Sequence, residues 1–128
     1  MDSLPGMDGS RPRRPRWVYA VGTEPDPRFS LANERTLLSW IRTSTGFAAG
    51  GGGVLLVREL IGPLSLLLSI SAFGLSLAIV LGALLRWAVT ERALRLDRSL
   101  PSPAMALVVT AAVATGAILG LAFNVVLR

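Results

Sequence analysis

The sequence predicts an all-α membrane protein with three transmembrane helices, an interfacial helical lead-in and a disordered N-terminal tail. Three observations carry that reading. Of 128 residues 52% are hydrophobic and the mean hydropathy is +0.57, an apolar excess over ordinary soluble domains. The charges are segregated: Leu60–Leu85 is a run of 26 residues without one, and Ser99–Leu127 a run of 29. Either run crosses ~30 Å of hydrocarbon at ~1.5 Å rise per residue. Finally, Asp26-Pro27, Gly62-Pro63 and Ser102-Pro103 put a helix-starting proline before each apolar segment.

Residues 1–27 are rich in Pro, Gly, Arg and Asp and hold too few apolar side chains to fold alone, so a disordered cytoplasmic tail is expected. Its Arg11, Arg13, Arg14 and Arg16 suit anionic headgroups, at ~1 kcal/mol each near the surface. Only Trp17 and Tyr19 interleave with them, which argues against a nucleic-acid arm. Residues 28–128 form the membrane domain, with spans at about 37–57, 63–87 and 103–127. Residues 27–36 are the lead-in. The first span is the weakest, because the charge-free run Thr43–Val57 falls short of the ~17 to 25 residues a span requires, so it must begin before Arg42. Gly50–Gly53 costs ~1 kcal/mol per residue against alanine, but an unpaired amide in hydrocarbon costs more, so the helix should persist. The second span should continue past Thr90, where Glu91 and Arg95 are spaced as an i,i+4 pair.

Arginine asymmetry sets the orientation. Arg11, Arg13, Arg14, Arg16, Arg28, Arg35 and Arg42 precede the first span, and Arg86, Arg92, Arg95 and Arg98 follow the second. With three crossings only Arg58 and Arg128 lie opposite, so the N-terminus is expected in the cytoplasm and the C-terminus outside. The apolar stretch Trp17–Gly22 is too short for a secretory signal. Cysteine and histidine are absent. Without them Glu34 and Glu91 are the acids near the inner boundary that could act as a base, so neither enzyme, metal site nor cofactor is expected.

Helices in lipid associate through small residues and interhelical hydrogen bonds. Each span has a row of them: Gly46, Gly50 and Gly53; Gly74, Ala78 and Gly82; Ala112, Gly116 and Gly120. The rows serve packing within the chain, a homo-oligomer, or a partner membrane protein.

The segment Phe29–Thr45, FSLANERTLLSWIRTST, is the most informative. Arg28, Arg35 and Arg42 are seven apart and drift only ~20° per step on a helix, giving one guanidinium stripe. Either Arg35 and Arg42 reach headgroups or pair with Glu34, Glu91 or Asp97, or an oligomer gathers them around an axis where they attract anions or phosphates. Asn33, Thr36, Ser39 and Thr43 would add uncharged donors, and Trp40 an interfacial anchor.

Leu31–Thr43, LANERTLLSWIRT, resembles the signature of the domain of unknown function family 202, the YidH-like bacterial inner-membrane proteins. The resemblance runs from about Arg28 to the C-terminus, with Ser39 where a small alanine is common. It implies a multi-pass location in the bacterial inner membrane. The same domain is similar to the membrane portion of the fungal vacuolar transporter chaperone complex. That kinship implies an oligomeric anion path with Arg35 and Arg42 as the matching residues and Glu34 as gate or brace. The polyphosphate-making domain of that complex has no counterpart in this sequence. A non-conducting scaffold or accessory subunit is the alternative.

Overall fold

A computed structural model describes residues 13–126, with side chains as far as Ile118. Among them every regular element is helical: α1 (Arg16–Tyr19), α2 (Pro27–Leu56), α3 (Arg58–Ile61), α4 (Leu64–Arg95) and α5 (Ala104–Val126). Arg11, Leu127 and Arg128 lie outside the described residues, and Gly120 lies beyond the described side chains.

The helix starts follow the sequence signals. Asp26 caps α2 by accepting from the Arg28 amide at 2.9 Å, with Pro27 in the first turn. The lead-in is not a separate element: α2 runs unbroken from Pro27 through Gly50–Gly53 to Leu56. Gly62, at φ +72°, then turns the chain into Pro63 and α4. At the far end of α4, Asp97 takes the left-handed conformation at φ 52°. The Arg98 amide donates to the Ala93 carbonyl at 2.9 Å and the Asp97 amide to Leu94 at 3.4 Å, the double bond of a Schellman stop.

The core is an antiparallel pair, α2 against α4, zipped by hydroxyls. Ser44 Oγ donates to the Ser76 carbonyl at 2.9 Å, Ser76 Oγ returns the bond to the Ser44 carbonyl at 2.8 Å, and Ser69 Oγ donates to the Gly51 carbonyl at 2.9 Å. Nearer the α2 start, Asn33 Nδ2 donates to the Trp87 carbonyl at 3.1 Å. In all these pairs the residue numbers add to 120, so one register holds along the whole seam. Buried Ser65, Ser69, Ser76, Ile79 and Ala83 recur at steps of three, four and seven residues on α4, the spacing of a coiled-coil seam.

Outside the seam α4 is apolar and open, with Leu66, Ile70, Leu77, Leu81 and Leu85 all exposed. Among the described residues α4 is the helix both long and apolar enough to cross a membrane. α5 meets α4 where Met105 lies over Gly82.

Residues 13–26, read from the sequence as part of a disordered tail, are instead built onto α4. Val18 of α1 is fully buried. The Thr23 amide donates to the Arg95 carbonyl at 3.1 Å, and Gly22, at φ +64°, lies so close that a Cβ would fall 1.9 Å from that oxygen. An aromatic pair of side chains on two arginines does what composition alone could not foretell. Residues 1–12 are outside the described range.

Candidate functional site

Two charged features emerge, one on each side of α2. On the face turned away from α4, Arg28, Arg35 and Arg42 are all exposed, and none makes an ion pair among the described residues. The expected pairing of Arg35 or Arg42 with Glu34, Glu91 or Asp97 is therefore not formed. Gly46 and Gly53 continue the same line with Gly50 beside it, and a Cβ on any of the three would meet nothing within 4 Å. Within the chain it is Gly51, on the opposite side, that packs: its Cβ would lie 3.2 Å from Ala72 Cβ. Gly74 and Gly116 are likewise open, Ala78 and Ala112 are not in the buried core, and Gly82 touches Met105.

The motif hydroxyls do not extend the arginine face. Thr36 donates to the Ala32 carbonyl at 3.1 Å and Thr43 to Ser39 at 3.2 Å, each inside its own helix. Trp40 is half-buried beside Ala83 and Trp87, on the seam side.

The second feature lies where α2 begins and α4 ends. Asn33 is buried there; beyond its bond to Trp87 its Nδ2 also reaches Glu91 Oε2 at 3.3 Å, and Ser30 Oγ donates to Glu91 Oε1 at 2.9 Å. Glu91 is 4% exposed, yet both of these partners are neutral. One turn on, Arg95 is 8% exposed. It does not pair with Glu91, contrary to the i,i+4 expectation, but turns to the N-terminal segment: its guanidinium lies 4.7 Å from the Tyr19 ring centre and donates to the Tyr19 carbonyl at 3.4 Å. Arg92 repeats the arrangement with Trp17, 5.9 Å over the ring and 2.9 Å from the carbonyl. Burial first, and the Glu91 charge second, push the Tyr19 hydroxyl above its ordinary pKa.

Glu91, Arg95, Ser30 and Tyr19 line a cleft of about 290 Å³, rimmed by Glu34 and by the ion pair of Arg13 with Glu24 at 2.6 Å. Sequence reasoning singled out Asn33 and Glu34 but missed that Ser30, Glu91 and Arg95 converge. The signal was there in register only: helices of these lengths in a hairpin bring the start of the first beside the end of the second.

Comparison with known proteins decides the family. The family model described as Domain of unknown function (DUF202) matches residues 28–93, from the start of α2 almost to the end of α4. The chain belongs to this family. DUF202 relatives include the inner membrane protein YidH of Escherichia coli and of Shigella flexneri, each 43% identical over 93 residues, covering 66% of this chain and 75% of the relative. An uncharacterized protein of Mycobacterium tuberculosis is 38% identical over 93 residues, covering 66% of this chain and 69% of its own length. No solved structure matches the chain. With the open apolar surface of α4, membership of DUF202 makes this a membrane protein. The DUF202 match takes in Ser30, Asn33 and Glu91 together with the arginine face, and stops short of Arg95 and the segment that covers it.

Proposed function

We propose that the chain is a non-enzymatic, homo-oligomeric protein of the bacterial inner membrane that contacts anions or phosphates through Arg35 and Arg42. It crosses the bilayer with α2, α4 and α5, keeping the N-terminus in the cytoplasm and the C-terminus outside. Neighbouring copies bring their α2 faces around a shared axis.

One observation supports this above the rest: the depth of an unpaired, exposed Arg42. The charge-free part of α4, Leu64–Leu85, spans about 33 Å, close to the ~30 Å of a hydrocarbon core. By the seam register, Arg35 is level with Leu85 at the inner boundary, and Arg42 with Ala78, about 10 Å further in. An arginine facing lipid near the bilayer centre costs about 3 kcal/mol on insertion scales. A ring of copies removes that cost by replacing lipid with a polar interior, and the open line of Gly46, Gly50 and Gly53 lets the helices approach.

The test is anion flux in liposomes holding purified protein, with Arg42→Ala and Arg35→Ala alongside. Flux in wild type that falls in both variants is expected; equal leakage from empty, wild-type and variant vesicles refutes conduction. The same open glycine line also favours a second reading, a non-conducting scaffold for a partner membrane protein. An intact mass of one copy in mild detergent, together with no flux, selects the scaffold.

A further inference from the structure

The inner end of α4 holds two buried charges of opposite sign that do not neutralise each other. Glu91 meets the neutral donors Ser30 and Asn33; Arg95 meets the carbonyl and ring of Tyr19, and its Nε has no partner. A buried charge without a counter-charge is expensive, and such groups persist where a ligand completes them. Both residues line the same open cleft, whose about 290 Å³ is at the small end of ligand sites, ~300 to 1,000 Å³.

The chemistry of the lining selects the ligand. A simple anion would suit Arg95 but face Glu91, Glu34 and Glu24; a simple cation would suit those acids but face Arg95 and Arg13. A species carrying both an ammonium and an anionic group satisfies each. Position adds a second constraint. Glu91 lies six residues past Leu85, about 9 Å beyond the apolar run, within the headgroup layer that flanks a ~30 Å core.

We propose that this cleft binds a phosphoethanolamine group, its ammonium on Glu91 with Glu34 at the rim, its phosphate on Arg95 with Arg13. The group comes either from a membrane lipid or from a soluble phosphoethanolamine. Because Tyr19, Arg13 and Glu24 belong to the N-terminal segment, the bound ligand also holds that segment on α4. The site is separate from the arginine face, so its failure would leave the anion reading standing.

The experiment uses full-length protein in nanodiscs of phosphatidylglycerol, a lipid without an amine, titrated calorimetrically with four probes: short-chain phosphatidylethanolamine, O-phosphoethanolamine, ethanolamine and inorganic phosphate. Saturable binding of a phosphoethanolamine probe, at least about tenfold tighter than ethanolamine or phosphate, is expected. If the lipid and the soluble compound both bind, the headgroup alone suffices; if only the lipid binds, the membrane is the source. Absence of saturable binding by either, or tighter binding of phosphate alone, overturns the proposal. Glu91→Gln and Arg95→Gln should each weaken binding by about tenfold or more. Since those changes touch buried groups, Glu34→Gln on the exposed rim serves as a variant that keeps the fold, with an expected loss of about twofold to threefold, as for an exposed ion pair. In wild type, the ligand should also slow tryptic cleavage after Arg13 and Arg16. Unchanged affinity in Glu34→Gln together with unchanged cleavage refutes the site.

Discussion

Replacing Gly51 by leucine should separate the two central helices, whereas the same replacement at Gly46 should not. At Gly51 even a single added carbon would lie 3.2 Å from Ala72 Cβ, 3.3 Å from the Phe73 ring and 3.3 Å from the Ser69 carbonyl. Two of those neighbours belong to backbone or to a rigid methyl, so the helices themselves must move. Overpacking of this kind costs about 1 to 3 kcal/mol. Moving them apart also stretches the bond from Ser69 Oγ to the Gly51 carbonyl, and an interhelical bond in a membrane protein contributes about 0.6 to 1.7 kcal/mol. Leucine recovers about 0.8 kcal/mol of helix propensity over glycine. The net is a loss near 2 kcal/mol, roughly thirtyfold in the unfolding equilibrium. Within a single copy nothing stands within 4 Å of an added Cβ at Gly46, so for the helix pair itself only the propensity gain remains.

The assay is reversible unfolding in mixed micelles followed by circular dichroism, with intact mass measured on the same samples. Gly51→Leu should unfold at lower denaturing-detergent fraction than wild type, and Gly46→Leu at the same fraction or higher. If Gly46→Leu loses as much stability as Gly51→Leu in a sample that stays monomeric, the assignment of seam and outer face is wrong. A Gly46→Leu protein that is stable but has dropped from oligomer to monomer supports assembly through the outer face.

Two further expectations concern the N-terminal segment. Gly22→Ala forces a side chain into the left-handed region and onto the Arg95 carbonyl, so limited proteolysis should cut between Arg16 and Thr23 much faster than in wild type, and equal cutting rates would refute the docking. Because the Tyr19 pKa is raised in the docked state, docking favours the neutral phenol: its contribution is intact below the ordinary value of 10.0 and fades as pH climbs through the higher folded value. A phenolate absorbance titration should place Tyr19 above its ordinary range in wild type and lower in Gly22→Ala; a normal midpoint in both would count against the contact.

The helices were legible because proline, glycine and charge-free runs act locally. Asp26-Pro27 starts α2 through a cap that involves only its own turn, and Gly62-Pro63 breaks the chain whatever lies around it. The pairing of faces was not legible in the same way. Glycine rows marked Gly46, Gly50 and Gly53 for packing within the chain or against another one; within the chain the helix turns them outward and buries Gly51 and Ser44 instead, because α4 offers hydroxyls, not glycines, as its close-approach residues. Ser65, Ser69 and Ser76 carry that information at seam spacing, and a search for small residues that counts only glycine and alanine passes over them. The N-terminal segment was hidden for a different reason. Trp17, Val18 and Tyr19 are too few to form a core alone, and only the arginines at the end of α4 give their rings a partner.

A seam built from serine, glycine and alanine has a consequence for the rest of the molecule. Such a contact is thin: it holds two helices through carbonyl-to-hydroxyl bonds and leaves most large apolar side chains of α4 pointing outward, where lipid is an adequate solvent for them. Lipid does not serve Arg42 equally well. On α2 the outward face combines that arginine with open glycines, so under the proposed three crossings the bilayer that stabilises one helix of the pair penalises the other at the same depth. In the proposed oligomer that asymmetry favours association through α2 while α4 keeps its lipid contact, with α2 facing inward and α4 outward.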